Sequence, residues 1–313
     1  MNTATVRVNK TLIRREFWEN RSLWIVPACV LGLATLTGLI KIAMYVSGHL
    51  AAGNGIHIVE FDDDDAAAAG SSGAASMVRL GALISAVPMD IIMMLVIFFY
   101  LLDSLYADRR DRSVLFWRSM PVSDFRSVLA KLATAMFAAT AITLAATIAM
   151  DLLAGIFELI SETFAPHSIV LFSHPLALIE GWAIVAYALV AQAIWFLPFF
   201  GWWMLASAWA KKTPFLWATL PPVLLGFAEL VLFRTHYFWH AVRMHVVNWM
   251  VILNIDPILQ HEESAKQFVL NGEYVNLQGL GRYLASPELW IGTAIGAAFI
   301  YGAIVLRQKR SEI

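Results

Sequence analysis

Three histidines stand close together in "HYFWHAVRMH": His236, His240 and His245. His236 and His240, four residues apart, would share one face of a helix, and imidazoles so spaced can hold a metal. A membrane metalloenzyme built on this cluster is therefore one reading. No carboxylate joins it at HExxH spacing, and Tyr237, Phe238 and Trp239 lie between the histidines, which suits a helix of an aromatic belt better. Four adjacent acids, Asp62–Asp65, also invite a cation. Calcium loops space their ligands around a fixed turn, whereas these four run into Ala, Gly and Ser and read as a solvated loop. No GxxxxGK followed by Ser or Thr occurs, so no P-loop cradles phosphate, and there is no Gly-x-Ser-x-Gly elbow. The expectation is a chain with no catalytic residues, no metal and no cofactor of its own.

Acids inside apolar runs carry more information. Asp90 lies in the run Leu80–Leu102, two residues after Pro88. At 1.5 Å per residue it stands ~15 Å from one end and ~18 Å from the other, near the middle of a helical span. A charge there costs at least ~2.5–3.5 kcal/mol, so Asp90 should face a polar path or a partner. An ion-coupled secondary transporter using Asp90 is a second reading, although such proteins show internal repeats and more spans, and no repeat is visible here. Asp151, Glu158, Glu180 and Glu229 fall toward the outer ends of runs. Asp90 and Glu229 are the candidate substrate-path residues.

The elements that must position these groups are long and apolar. Of 313 residues 59% are hydrophobic and 14% charged, against about a quarter charged in soluble domains. With a net charge of −1 and no basic tail, nothing points to nucleic acid. The one cysteine, Cys29, sits inside an apolar run, so there is no disulfide framework and a buried thiol is expected. A bilayer core of ~30 Å takes about 20 helical residues. Six runs qualify: 23–46, 80–102, 129–157, 178–210, 215–233 and 289–306. The first is too long for the core of a signal peptide, ~7–15 residues, and reads as a retained span. The third and fourth exceed the bilayer and must tilt or project. The fold class expected is all-α integral membrane: six transmembrane helices in one domain spanning residues 1–313.

Positive charge orients these spans. Sixteen Lys and Arg fall in the N-terminal stretch, the second and fourth connections and the tail; five fall on the other side, and Lys41 can snorkel from the first span. Both termini are then cytoplasmic. Outside, residues 47–77 read as a flexible acidic loop that cannot repay its ordering entropy. The connection 234–288 reads as longer, with a helix lying in the interface or dipping partway in. Gly292 and Gly296 in "GTAIG" permit close approach of another helix, and Pro198, Pro221 and Pro222 should bend the fourth and fifth spans.

Two cytoplasmic features remain. Residues 1–22 contain "TLIRREFWENRSLW", in which Leu12, Ile13, Phe17 and Trp24 recur among Arg14, Arg15, Glu16, Glu19 and Arg21. That is an amphipathic helix in the inner interface. Residues 103–128 contain "DSLYADRRDRSVLFWRSMPVS", where Val114, Leu115, Phe116 and Trp117 form an apolar knob beside Arg112 and Arg118. Pro121 breaks this stretch, and Ser123 can cap the next helix. A plug with a charged rim suits docking into another protein's groove.

The stretch "LLDSLYADRRDRSVLFWRSMPVSDFRSVLAKL" resembles the intracellular segment of permeases of the type-two ABC exporter family. In that family the second span ends in a charged stretch, an apolar patch, a Ser-x-Pro-Val-Ser-like turn and a Lys opening the third span. Here those positions are Ser119, Pro121, Val122, Ser123 and Lys131. The N-terminal helix, six spans, cytoplasmic termini and long last outer connection are also similar to that family. The Asp-rich loop and the His-rich stretch depart from it. The resemblance implies a permease of a bacterial inner membrane that works with a separate ATP-binding subunit, which supplies ATP and Mg, and with a second permease copy in a homodimer. It also implies that residues 112–121 form the coupling element, and that a hydrophobic or amphipathic substrate leaves by alternating access.

Overall fold

The computed structural model describes residues 11–12, 14–47, 63–111, 123–163, 172, 174–253 and 277–309. Among the described residues every regular element is helical. In chain order they are α1 (Ser22–Val46), α2 (Asp63–Arg110), α3 (Asp124–Ala133), a π turn (Thr134–Ala138), α4 (Ala139–Glu162), α5 (Pro175–Trp195), α6 (Leu197–Trp209), α7 (Pro214–Phe233), α8 (Tyr237–Asn248), a 3₁₀ turn (Trp249–Leu253), α9 (Leu277–Ala285) and α10 (Pro287–Lys309). Six helical stretches are long and apolar enough to cross a membrane: α1, the 73–110 part of α2, α3 with α4 to Ser161, α5, α7 and α10. The chain is a multi-pass, all-helical membrane protein.

Residues 63–77 are a correction to the flexible acidic loop. They are the first turns of α2, a helix of 48 residues, about 72 Å long. The composition explains it: acids at a helix N-terminus oppose the macrodipole favourably, and the Ala run that follows has the highest helix propensity. At its other end α2 continues through Asp103–Arg110, so the charged segment after the second span begins as helix. Residues 112–122, which hold the apolar knob and its rim, lie outside the described residues. Ser123 does cap α3, its side chain accepting from the Arg126 N–H at 3.4 Å.

The fourth span is two helices rather than one. Pro198 lacks an N–H and stands in the first turn of α6, where the loss is harmless; the chain breaks at Phe196. Pro221 and Pro222 leave α7 a single element. The core runs along α2, α4 and α6, with Met89, Met93, Leu101, Leu105, Ala135, Ala139, Phe200 and Met204 buried together. The small-residue pair of the last span meets α6: a Cβ on Gly296 would lie 2.7 Å from the Leu197 carbonyl carbon, and one on Gly201 would lie 2.6 Å from the Gly296 oxygen. By contrast α1 and α7 bury almost nothing, only Leu23 and Pro27 on one, Ala218 and Gly226 on the other. Cys29 is exposed on α1, contrary to expectation. An evenly apolar run does not reveal which of its faces packs.

Candidate functional site

Cations gather at one end of the bundle, around Arg109, Lys131, Lys211, Lys212 and Arg307, and among the described residues Glu16, Asp108, Arg109, Lys131 and Arg307 are all buried there. Lys131, in the last turn of α3, has its Nζ 3.0 and 3.2 Å from the two carboxylate oxygens of Glu16. It stands 3.7 Å from Asp108 Oδ1. Asp108 in turn accepts from Arg307 Nη1 at 2.7 Å, and Arg307 Nε donates to Asp124 Oδ1 at 3.0 Å. The Tyr100 hydroxyl lies 3.2 Å from Glu16 Oε2 and 3.3 Å from the Lys131 carbonyl. Five charges from four helices thus form one chain of contacts: the 14–19 helix, the end of α2, both ends of α3 and the end of α10.

Burial makes this arrangement consequential. The side chains of Glu16, Lys131 and Arg307 are 5, 5 and 3% exposed. Desolvating such groups costs several kcal/mol each and is repaid only by close pairing. Removing one partner therefore costs more than the pair contributes. Next to the network, Arg109 Nη2 donates to the carbonyls of Ser207 and Ala210 at 2.7 and 2.8 Å, closing the C-terminal turn of α6 with a cation, as the helix dipole favours. The Ser207 hydroxyl oxygen accepts from the backbone N–H of both Leu105 and Tyr106 at 3.0 Å. The C-terminal turns of α2 and α6 are thereby joined through backbone groups. Just beyond Lys131 the π turn interrupts α3 and α4, a feature that often marks functional positions in helices.

A second polar locus lies at the α5–α6 break. There the Phe199 N–H turns to the Phe196 carbonyl, so the Trp195 carbonyl is left for another donor. His245 of α8 meets it: Nε2 lies 2.9 Å from Trp195 O, Trp195 Nε1 donates to His245 O at 2.7 Å, and the rings stack at 5.2 Å. One turn earlier the Tyr283 hydroxyl of α9 donates to Ala191 O at 2.8 Å, and burial pushes its phenol up to about 12. Gln192 of the same turn donates to Asp90 Oδ2 at 2.8 Å. Further along α5, Trp182 Nε1 donates to Asp151 of α4 at 2.8 Å, and Arg79 of α2 pairs with Glu180 at 2.7 Å.

These contacts locate the residues expected from the sequence. Glu16 belongs to the buried network, whereas Arg15 pairs with Glu19 on the same short helix, Arg14 is exposed and Phe17 half-buried. Asp90 is held by Gln192. Glu229 caps α8: its Oε1 accepts from the Thr235 hydroxyl and the Tyr237 N–H at 2.7 Å, its Oε2 from the Phe238 N–H at 2.8 Å. The three histidines do not converge, because His245 is committed to Trp195 while His236 and His240 are exposed. Among the described residues no three His, Cys, Asp or Glu side chains gather to hold a metal. Arg112, Val114, Leu115, Phe116, Trp117, Arg118 and Pro121 lie outside the described residues.

Sequence reasoning missed Tyr100, Asp108, Asp124 and Arg307 as one network. A signal was present, since charges at the ends of apolar helices must pair when buried. What the fold and these loci define is a multi-pass helical membrane protein with a buried ionic network at its cation-rich end. No family model, curated protein or solved structure matches the chain.

Proposed function

We propose that this chain is the permease subunit of an ATP-driven exporter of the type-two ABC class, working as a pair with separate ATP-binding subunits. The observation that carries the reading is the buried ionic network. It brackets residues 112–122 on both sides, with Asp108 and Arg109 before them and Asp124 and Lys131 after. A push on that segment by a partner reaches the 14–19 helix through Lys131–Glu16, α10 through Asp124–Arg307, and α6 through Arg109 and Ser207. The cation-rich end is cytoplasmic by the positive-inside rule, with both termini there and the 14–19 helix at the inner interface. The membrane is a bacterial inner membrane.

The bare apolar faces of α1 and α7, with Leu33, Leu36, Leu232 and Phe233 more than half exposed, are those a second copy meets in a two-fold dimer. A hydrophobic or amphipathic substrate passes between the copies. ATP drives the cycle by binding one state better than the other. Phe116→Ala with Trp117→Ala should leave ATP hydrolysis running while abolishing substrate export from reconstituted vesicles. Export at the wild-type ratio to hydrolysis would remove the segment from the mechanism.

A second reading rests on Asp90, an in-span acid held by the neutral amide of Gln192. It makes the protein an ion-coupled transporter, and Asp90→Asn separates the two. An exporter of the first kind keeps its ATP-dependent flux, while an ion-coupled one loses its dependence on the ion gradient.

A further inference from the structure

The short helix of residues 11–12 and 14–19 has two unlike faces. Glu16 faces the bundle, where it holds Lys131, and one turn on Asn20 Nδ2 donates back to the Glu16 carbonyl at 2.9 Å. Arg14 and Trp18, also one turn apart and so neighbours on a helix surface, face the other way. Both are exposed, Trp18 by 59%, and Arg21 is exposed in the turn that leads into α1. Arg15 is paired with Glu19, whereas Arg14 and Arg21 make no side-chain ion pair or hydrogen bond among the described residues. From Trp18 the exposed apolar surface continues into Trp24 and Ile25 at the start of α1.

This pattern has one natural occupant. An indole at the edge of an apolar belt sits at the level of lipid headgroups. Two unpaired guanidiniums beside it offer planar, multi-donor forks that match phosphate. The cytoplasmic leaflet is anionic and attracts basic segments next to a span. We propose that Arg14, Trp18 and Arg21 form a binding site for the headgroup of an anionic phospholipid in the leaflet at the cation-rich end. Lipid bound there holds the 14–19 helix against the membrane and so keeps Glu16 seated on Lys131. The leaflet composition thereby sets how tightly the ionic network is closed. The two faces of the helix stand whether or not the chain belongs to an exporter, so this inference does not depend on that reading.

The test uses the purified full chain in nanodiscs of phosphatidylcholine alone or with phosphatidylglycerol, reading hydrogen exchange over residues 11–21. Exchange should slow when phosphatidylglycerol is added. Each arginine removed should lower the preference for that lipid about fivefold. The double variant Arg14→Gln, Arg21→Gln should lose the response while matching wild type in phosphatidylcholine. Lys211→Gln with Lys212→Gln, at the same end but on another connection, should keep it. Equal exchange in both compositions would overturn the proposal, as would a response that survives in the arginine double variant. Loss of the response in the lysine variant would also overturn it, by showing an effect of general charge.

Discussion

The two polar regions of this molecule are built from different chemistry. At the cation-rich end, Glu16, Asp108, Asp124, Lys131 and Arg307 are all charged and joined end to end. At the α5–α6 break, the side chains that tie α8 and α9 to α5 are an indole, an imidazole and a phenol bonding to backbone carbonyls. Buried ion pairs are strong only in good geometry and costly when half-broken, so the first region favours one arrangement and moves as a unit. Neutral hydrogen bonds to backbone carbonyls each contribute little, about 0.5–1.5 kcal/mol net. The second region is therefore a joint that can yield in steps. A membrane subunit driven from one end needs that order: a stiff receiver near the partner and a softer joint beyond it.

The sharpest way to break the comparison is at Lys131. Lys131→Met leaves Glu16 buried without its cation and should cost about 3–5 kcal/mol, seen as a large drop in the thermal midpoint of the detergent-solubilised protein. Combining it with Glu16→Leu should recover most of that loss, because two apolar groups can replace a buried pair. A double variant as unstable as the single would show that the pair is not the unit. At the other region, His245→Phe keeps the ring stacked on Trp195 but leaves the Trp195 carbonyl unbonded. It should cost about 1–3 kcal/mol, read as faster hydrogen exchange confined to α8; unchanged exchange would remove His245 from the joint.

The smallest effect lies with Tyr283. Its phenol is raised by burial to about 12, so the folded state favours the neutral form. Its contribution is fully present below the unfolded value near 10 and is lost as pH rises from there toward 12. Unfolding between pH 10 and 12 should be shallower in Tyr283→Phe than in wild type, and identical curves would contradict this.

Much of the fold is legible in the sequence because hydrocarbon demands it. A span must be helical to satisfy its own backbone, so α1, α7 and α10 appear as plain apolar runs. The helical start of α2 was hidden because "DDDDAAAAGSS" is polar and small, which argues against packing but not against helix. The α5–α6 break could be read as a bend at Pro198, whereas the carbonyl it frees and the histidine that meets it could not. The ionic network was the least legible: Glu16 and Lys131 are 115 positions apart, and pairing at that separation is fixed only by how the helices pack. Likewise the exposed Cys29 sits in a run too evenly apolar to show its lipid face.

The central claim is that this chain receives its energy from an ATP-binding partner, and purification from the native membrane in mild detergent tests it most directly. The account predicts a stoichiometric partner carrying a P-loop and hydrolysing ATP, one that still hydrolyses ATP but no longer drives export when Phe116 and Trp117 are both changed to Ala. A chain that purifies alone, with no ATPase activity, would contradict it.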